Sequence, residues 1–165
     1  MPANPTDLKA RLLAYGDKYK SSIPPDNFDH GLWNTIEVLS ATLDVSGRTG
    51  KAVFAATLPK QYSNSRGNAH GGATALLFDG LSTATIGLIA QQGMWVGSEA
   101  TLSLIVKYLQ PVREGERVLV ECEIVHAGRR LATVRATMAR EADGSLLAVC
   151  FLDKHNPESD AVAKL

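Results

Sequence analysis

One carboxylate, that of Asp79, stands alone in the longest apolar stretch of the chain. The stretch runs from residue 73 to residue 90 and contains neither lysine nor arginine. Burying an unpaired charge is so costly that such an acid is paired, protonated or used for chemistry. Asp79 is therefore a candidate general base or nucleophile. The alternative is a structural acid, hydrogen-bonded to backbone groups or to Thr hydroxyls.

A histidine and two glycines, His70-Gly71-Gly72, precede this stretch. If a helix starts here, its first N–H groups lack intrahelical acceptors and lie at the positive end of the helix dipole. Because glycines have no side chains, a substrate carbonyl can approach these N–H groups and find an oxyanion hole. Close packing of the helix start against a strand is the alternative. Asn64 and His70 are further polar candidates, although each taken alone is equally an ordinary loop residue.

The spacing of His70 and Asp79 decides where such a site can form. In a regular helix, their nine positions correspond to about 13 Å along the axis and about half a turn around it. The two side chains therefore cannot serve one site within one subunit. If both are catalytic, the spacing predicts a site at a subunit interface, where a second copy brings its helix start beside Asp79.

The elements around this stretch predict an α+β fold. A helix is expected over 6–20 after a Thr6-Asp7 capping signal, then an extended connector broken by Pro24-Pro25, and later a long helix that ends near Gly93. Runs rich in β-branched residues and separated by turn signals predict six strands. They cover residues 34–45, 50–58, 98–109, 116–127, 130–141 and 145–153. A helix apolar on nearly every face must be enclosed, and a curved antiparallel sheet wrapped around it does so.

The length and charge of the chain narrow the function classes. Its 165 residues suit one domain, and we expect a helix and connector over 1–33, a single domain over 34–155 and a flexible tail over 156–165. Seventeen basic and seventeen acidic residues cancel, which argues against nucleic acid or an anionic membrane as a partner. Cys122 and Cys150 lie in strands without metal-type spacing, so they are interpreted as reduced packing residues.

No secretory leader or membrane span is expected from the sequence. The N-terminus lacks a continuous apolar segment, and Asp79, two glycines and several Ser/Thr residues dilute the 73–90 stretch. A buried helix is the better interpretation of that stretch. Asp7 and Asp17 argue mildly against a mitochondrial presequence, so a cytoplasmic location is expected, with a mitochondrial one as the alternative.

The pattern N-x5-H-G-G-x6-D, from Asn64 to Asp79, resembles the acyl-CoA thioesterases of the hotdog fold. It is most similar to the phenylacetate-degradation type and to the thioesterase-superfamily-member branch. The blocks LFDGLSTATI and TLSLIVKYLQPVREGE also resemble the family, and the similarity covers about residues 34–155. The resemblance implies a sheet of about six strands wrapped around one central helix, here with an extra N-terminal helix. It also implies homodimers, often paired into tetramers, and no metal or bound cofactor, since CoA belongs to the substrate.

The resemblance also implies roles for individual residues. Asp79 serves as nucleophile or general base, and Gly71 donates its amide to the thioester oxygen. His70 and Asn64 hold the thioester and water-binding region from the partner subunit. A hydroxyl ten positions before the motif proline assists by positioning water; counting back from Pro111 gives Thr101, with Ser103 as the fallback. Basic residues near the sheet edge are candidates to bind CoA phosphates: Arg129, Arg130, Lys154 and His155.

Three functions therefore compete at this stage. The first is hydrolysis of an acyl-CoA thioester. The second is hydration or dehydration of an acyl thioester, against which the intact HGG-x6-D spacing argues. The third is non-catalytic acyl-CoA binding, which does not require the Asp79 carboxylate. In all three the expected partners are an acyl-CoA and a second copy of the chain.

Overall fold

The computed structural model describes residues 4–90, 94–95 and 99–157. Three α-helices and six strands occur in the order α1, α2, β1, β2, α3, β3, β4, β5, β6. Their bounds are α1 Pro5–Ser22, α2 His30–Trp33, β1 Glu37–Leu43, β2 Gly50–Thr57, α3 Gly71–Ile86, β3 Ala100–Tyr108, β4 Arg117–Ala127, β5 Leu131–Arg140 and β6 Leu146–His155. The six predicted strands and both long helices are confirmed, with bounds shifted by a few residues.

The strands form one antiparallel sheet in the order β1-β2-β4-β5-β6-β3, so β1 and β3 are its edges. In β4 the alternation of residue types sets the two faces: Val120 and Cys122 are fully buried, while Glu121 and Glu123 lie on the other face. There they pair with basic residues of the neighbouring strands, Lys51 and Arg135. This is the alternation of a sheet with one buried face.

Helix α3 packs on the buried face and contacts every strand from β2 to β6. Leu77, Phe78, Leu81 and Ile86 are buried and Leu76 is half-buried, as expected of a helix that is apolar on nearly every face. The stretch Gly71–Ile89 is apolar and long enough to span a membrane by composition alone, yet 61% of it is buried inside the fold. It is therefore built as a core helix.

The C-terminal end of α3 differs from the prediction. The α-helix ends at Ile86 and tightens into a 3-10 turn over Gly87–Ile89. The Arg11 side chain donates hydrogen bonds to the carbonyls of Gly87 (3.2 Å) and Ala90 (3.4 Å), which satisfies groups left open at this end. Gly93, the expected end, lies outside the described residues.

Helix α1 packs against β1, α3 and the 3-10 turn that follows α3. Leu8 and Leu12 are buried in this contact, and the Trp33 ring lies 5.0 Å from the Tyr19 ring. A Cβ at Gly80 would lie 2.9 Å from the Trp33 ring, so α2 and α3 approach closely only because this position is glycine.

Two local expectations in the N-terminal region were wrong. The cap of α1 is Asn4, whose side chain accepts the Thr6 N–H at 3.1 Å, rather than the Thr6-Asp7 pair. The connector is not extended throughout, because it contains the short helix α2.

The two cysteines and the C-terminal residues complete the description. Cys122 and Cys150 are free and fully buried, and the prediction of packing residues is confirmed. Burial raises the pKa of each thiol to about 12. Asn156 is buried, and its N–H donates to the Arg130 carbonyl at 2.8 Å. The rest of the expected tail, residues 158–165, lies outside the described residues.

Candidate active site

The Asp79 carboxylate is held by groups from two strands. Thr101, near the start of β3, donates its hydroxyl to Asp79 Oδ1 at 2.6 Å. Lys154, near the end of β6, brings its Nζ to 3.0 Å from the same oxygen and 2.6 Å from Thr101 Oγ1. Both hydrogen bonds that the described residues donate to this carboxylate end on Oδ1. The Asp79 side chain is 34% exposed, so Oδ2 is the oxygen available to a ligand.

A β-bulge aims Thr101 at Asp79. Thr101 pairs with Lys154 and Ser103 with Asp153, so two β3 residues that an ideal strand would place on one face lie opposite consecutive β6 residues. Thr101 therefore faces α3. Ser103 lies with Asp153 on the outer face and donates its hydroxyl to that carboxylate at 2.7 Å. This placement removes Ser103 as the fallback for Thr101.

Lys154 occupies a different position from the one expected of a phosphate ligand. Its side chain is only 4% exposed and its ammonium is engaged by Asp79 and Thr101. A buried ammonium needs such partners because it has left water. The expectation that Lys154 binds CoA phosphates is corrected accordingly.

The other CoA-phosphate candidates lie at the same end of the sheet as Asp79. Arg129 and Arg130 are exposed in the β4–β5 turn, and His155 is half-buried at the end of β6. The turn is fixed to β6 by Asn156, which donates to the carbonyls of Arg129 and Arg130. These three residues therefore remain placed where a charged group could approach from solvent.

The start of α3 forms the second half of the candidate site. His70 is the N-cap, and its Nδ1 accepts the Gly72 N–H at 3.0 Å. The N–H groups of Ala73 and Thr74 are accepted by the His70 carbonyl. The Gly71 N–H has no acceptor among the described residues, so it is the donor left open at the positive end of α3.

Tyr108, at the end of β3, fixes the Gly71 peptide. Its hydroxyl donates to the Gly71 carbonyl at 2.7 Å, and a Cβ at Gly71 would lie 3.3 Å from the Tyr108 ring. Glycine at this position therefore lets the tyrosine close over the helix start. Both residues line a cavity of about 360 Å³ together with Asn64. Asn64 Oδ1 accepts the N–H groups of Arg66 and Asn68, which leaves its amide group to face a ligand.

The two halves are far apart within one chain. Thr101 of β3 belongs to the Asp79 half and Tyr108 of β3 to the Gly71 half. The seven strand positions from Thr101 to Tyr108 span about 23 Å. On α3 the eight positions from Gly71 to Asp79 rise about 12 Å. One chain thus brings Asp79, Thr101 and Lys154 together at one end of β3, and Asn64, Gly71 and Tyr108 together at the other.

A second cavity, of about 430 Å³, lies between α1 and the end of α3. Its apolar lining includes Leu12, Tyr15, Ala84 and Trp95. Burial, and then the charges of Glu99 and Asp79, raise the pKa of Tyr15 to about 12. The N-terminal extension therefore packs on the sheet and walls a cavity in the electrostatic neighbourhood of Asp79.

Two contacts of the site were missed from the sequence. One is the Lys154 ammonium on Asp79, and the other is the Tyr108 hydroxyl on the Gly71 carbonyl. The signal for Lys154 was present: Ala148, Cys150 and Leu152 face inward, and the next inward position of β6 is a lysine. An isolated cation at a buried strand position calls for an anion. No cluster of three or more His, Cys, Asp or Glu side chains able to hold a metal occurs in the described ranges.

Known proteins match the chain in sequence and in fold. Residues 66–146 match the family model described as thioesterase superfamily. The chain is 27% identical to human acyl-coenzyme A thioesterase 13 over 122 residues, which cover 74% of this chain and 84% of the relative. The crystal structure of zebrafish thioesterase superfamily member 2 has a TM-score of 0.71 and 26% identity, covering 87% of this chain and 96% of that chain.

A Streptococcus mutans structure bound to acetyl-CoA shares the fold, with a TM-score of 0.60 and 18% identity over 73% of this chain and 86% of that chain. The central helix, the six-stranded sheet order and the family match agree with one another. Residues 66–146 form a thioesterase-superfamily domain, and the described chain has a hotdog-type fold.

Proposed function

We propose that the protein hydrolyses an acyl-CoA thioester to a carboxylic acid and CoA, with Asp79 as the general base. The observation that carries the proposal is the Asp79 carboxylate, held through Oδ1 by Thr101 and Lys154 and exposed through Oδ2. A carboxylate fixed in this way is oriented to take a proton from water. The acyl-CoA class is supported by the human relative, which is named an acyl-coenzyme A thioesterase.

The chemistry follows from the two halves of the site. Asp79 Oδ2 takes a proton from water, and the resulting hydroxide bonds to the thioester carbonyl carbon. The carbonyl electron pair moves to oxygen, where the Gly71 N–H and the Asn64 amide stabilise the negative charge. The C–S bond then breaks, and the proton held by Asp79 passes to the departing thiolate. One thioester and one water give one acid and one thiol, and Asp79 is again a carboxylate.

Direct attack by Asp79 on the carbonyl is the variant of this mechanism. It would form a mixed anhydride, which water then cleaves. In both variants the reacting atom is Oδ2, so the structural requirements are the same. In a single turnover in ¹⁸O-labelled water, an unlabelled first product and label in the Asp79 carboxylate identify the anhydride route in which water attacks Asp79 Cγ, because the general-base route labels the first product.

A two-fold assembly through β3 would join the two halves. β3 is an edge strand with unpaired backbone groups and with exposed apolar side chains, including Leu102 and Ile105. If two copies of β3 pair antiparallel about a point between positions 104 and 105, position 101 of one strand lies opposite position 108 of the other. That register brings Thr101 and Asp79 of one subunit beside Tyr108, Gly71 and Asn64 of the partner subunit.

The remaining parts of the proposal concern the ligand and its surroundings. Arg129, Arg130 and His155 are proposed to contact the CoA phosphates from the turn beside Asp79, and His70 to shape the helix start of the oxyanion half. No metal or bound cofactor is needed for these proton transfers. Pairing of dimers into tetramers and a cytoplasmic rather than mitochondrial location are also proposed on the resemblance to the family.

A thiol-release assay over acyl-CoAs of increasing length tests the proposal. The wild-type protein should release CoA and free acid from at least one of them, and Asp79→Asn should reduce kcat by at least about 100-fold while still binding the substrate. Unchanged hydrolysis in Asp79→Asn would remove Asp79 from the mechanism. Hydration of an enoyl-CoA without thiol release would favour a hydratase, and tight binding without any turnover would favour an acyl-CoA-binding protein.

A further inference from the structure

Three polar groups meet at Asp79, and their protons can be assigned by counting donors. The Lys154 ammonium can only donate, so at its 2.6 Å contact with Thr101 the hydroxyl oxygen accepts. The Thr101 hydroxyl has one proton, and it points to Asp79 Oδ1 at 2.6 Å. Lys154 also donates to Oδ1 directly, at 3.0 Å. The proton of Thr101 is therefore committed to Asp79 and is not available to a water molecule.

We propose that Lys154 is a positioning residue for the general base, an inference that rests on the proposed thioesterase activity. Lys154 orients the Thr101 hydroxyl so that it donates to Asp79. Together, Lys154 and Thr101 occupy Oδ1 of the Asp79 carboxylate. The carboxylate plane is fixed, and Oδ2 is left as the oxygen that receives the proton of water. Thr101 acts as a relay between the lysine and the carboxylate rather than as a donor to water.

The burial of Lys154 supports this role. With a side chain only 4% exposed, the ammonium is separated from bulk water, and its neighbours must replace the lost hydration. Asp79 and Thr101 supply that replacement. Across the strand pair, Lys154 lies opposite Ala132 of β5 and Thr101 of β3, so the small alanine leaves the lysine directed toward the hydroxyl and α3.

A phosphate-binding lysine and a positioning lysine make opposite kinetic predictions. A lysine that holds a phosphate of CoA raises KM when it is removed, and it matters only for substrates that carry the phosphate. A lysine that orients the general base lowers kcat, and it matters equally for substrates without phosphates. Acyl thioesters of N-acetylcysteamine keep the reacting bond and carry no phosphate, so they separate the two roles.

The test compares Lys154→Met, Thr101→Val, their double variant and Thr101→Ser on an acyl-CoA and on the matching N-acetylcysteamine thioester. Lys154→Met should lower kcat roughly 10- to 100-fold with KM changed less than about threefold, and by the same factor on both substrates. Thr101→Ser keeps the hydroxyl and should recover most of the kcat that Thr101→Val loses. When Lys154→Met is added to Thr101→Val, the further loss of kcat should be much smaller than the loss that Lys154→Met causes in the wild type. The reason is that Thr101→Val has already removed the relay.

Lys51→Met is the matched control. Lys51 also pairs with a carboxylate, that of Glu121 at 2.7 Å, but on the outer face of the sheet. This variant should keep full kcat. Thermal melts accompany each protein, and if Lys154→Met does not fold, the Thr101→Val and Thr101→Ser pair still tests the relay at a site where Lys154 is intact.

Several results would overturn the inference. They are a loss confined to the CoA substrate, a change in KM alone, full additivity of Lys154→Met and Thr101→Val, or equal activity of Thr101→Val and Thr101→Ser. Each of these leaves the thioesterase proposal standing, provided that the wild type is active and Asp79→Asn is not. A wild-type protein inactive on every thioester would overturn both.

Discussion

The two ends of strand β3 carry opposite kinds of chemistry. At its start, Thr101 joins a carboxylate and an ammonium, and the groups that meet there are charged and tightly paired. At its end, Tyr108 covers a helix start where the available groups are the neutral Gly71 N–H and the Asn64 amide around an open cavity. One end can move a proton, and the other can stabilise a developing negative charge.

The contrast gives a physical reason for the proposed division of the site between two subunits. A carboxylate next to the oxyanion donors would compete for the same N–H groups that the substrate oxygen needs. Separation of Asp79 from Gly71 by about 12 Å along α3 avoids this competition within the subunit. In the proposed two-fold dimer the two would meet only across a substrate, with the base on one side of the carbonyl and the donors on the other.

The largest predicted effect comes from altering Asp79 in one subunit and Asn64 in the other. Asp79→Asn removes the base, and Asn64→Asp keeps the acceptor for the Arg66 and Asn68 N–H groups while removing the amide donor. The thiol-release activity of each homodimer should be at least about 100-fold below that of the wild type. Co-expressed with separate tags, the heterodimer carries one site with both changes and one intact site, so random mixing should restore roughly a quarter of wild-type activity.

The control for this experiment is the double variant Asp79→Asn with Asn64→Asp, mixed with wild-type chains. It forms heterodimers in which each site has one altered half, and these should show no activity beyond the wild-type homodimers present. Steady-state thiol release on the mixtures measures both, and on purified doubly tagged dimers the complementing pair should give roughly half of wild-type activity and the control pair almost none. Absence of complementation in a verified heterodimer would mean that Asp79 and Asn64 serve the same subunit or different functions.

A smaller effect is expected from loosening the oxyanion end alone. Tyr108→Phe removes the hydroxyl that binds the Gly71 carbonyl but keeps the ring that covers the helix start. The Gly71 peptide becomes less firmly held, and kcat/KM should fall roughly 3- to 10-fold, since about 1 kcal/mol of hydrogen bonding is lost. A matched Tyr62→Phe variant removes the hydroxyl bond of another tyrosine, to the Phe28 carbonyl, and should leave kcat/KM unchanged.

Periodicity and spacing predicted the six strands, the central helix and the separation of His70 from Asp79, because these depend on local patterns. Thr101 was found only through the resemblance, and its orientation depends on a bulge that no local pattern announces. The sequence makes Lys154 a candidate phosphate ligand only by its location near the sheet edge. Its burial follows from the pairing of β6 between β5 and β3, which is a long-range property.

The smallest effect on activity is predicted for Asp153 of β6, which pairs with Ser103 of β3. Its substitution should have a measurable effect on stability. Asp153 lies on the outer face and accepts the hydroxyls of Ser103 and Thr133, each at 2.7 Å. These two bonds, with that from Ser103 the larger, hold the pKa of Asp153 below its usual value against the opposing effect of burial. Asp153 thus resembles Asp79 in its number of donors but faces away from α3 and the cavities.

Asp153→Asn should therefore leave kcat intact and lower the free energy of unfolding by about 1–2 kcal/mol at pH 7. Because the folded pKa is depressed, the stabilisation is fully present above the unfolded pKa of about 4 and is lost as the pH falls through the lower folded value. Urea unfolding of both proteins should show a difference at pH 7 that shrinks in that acidic window. A loss of kcat as large as in Asp79→Asn would instead mean that the outer face takes part in the reaction, and the division between the two carboxylates would fail.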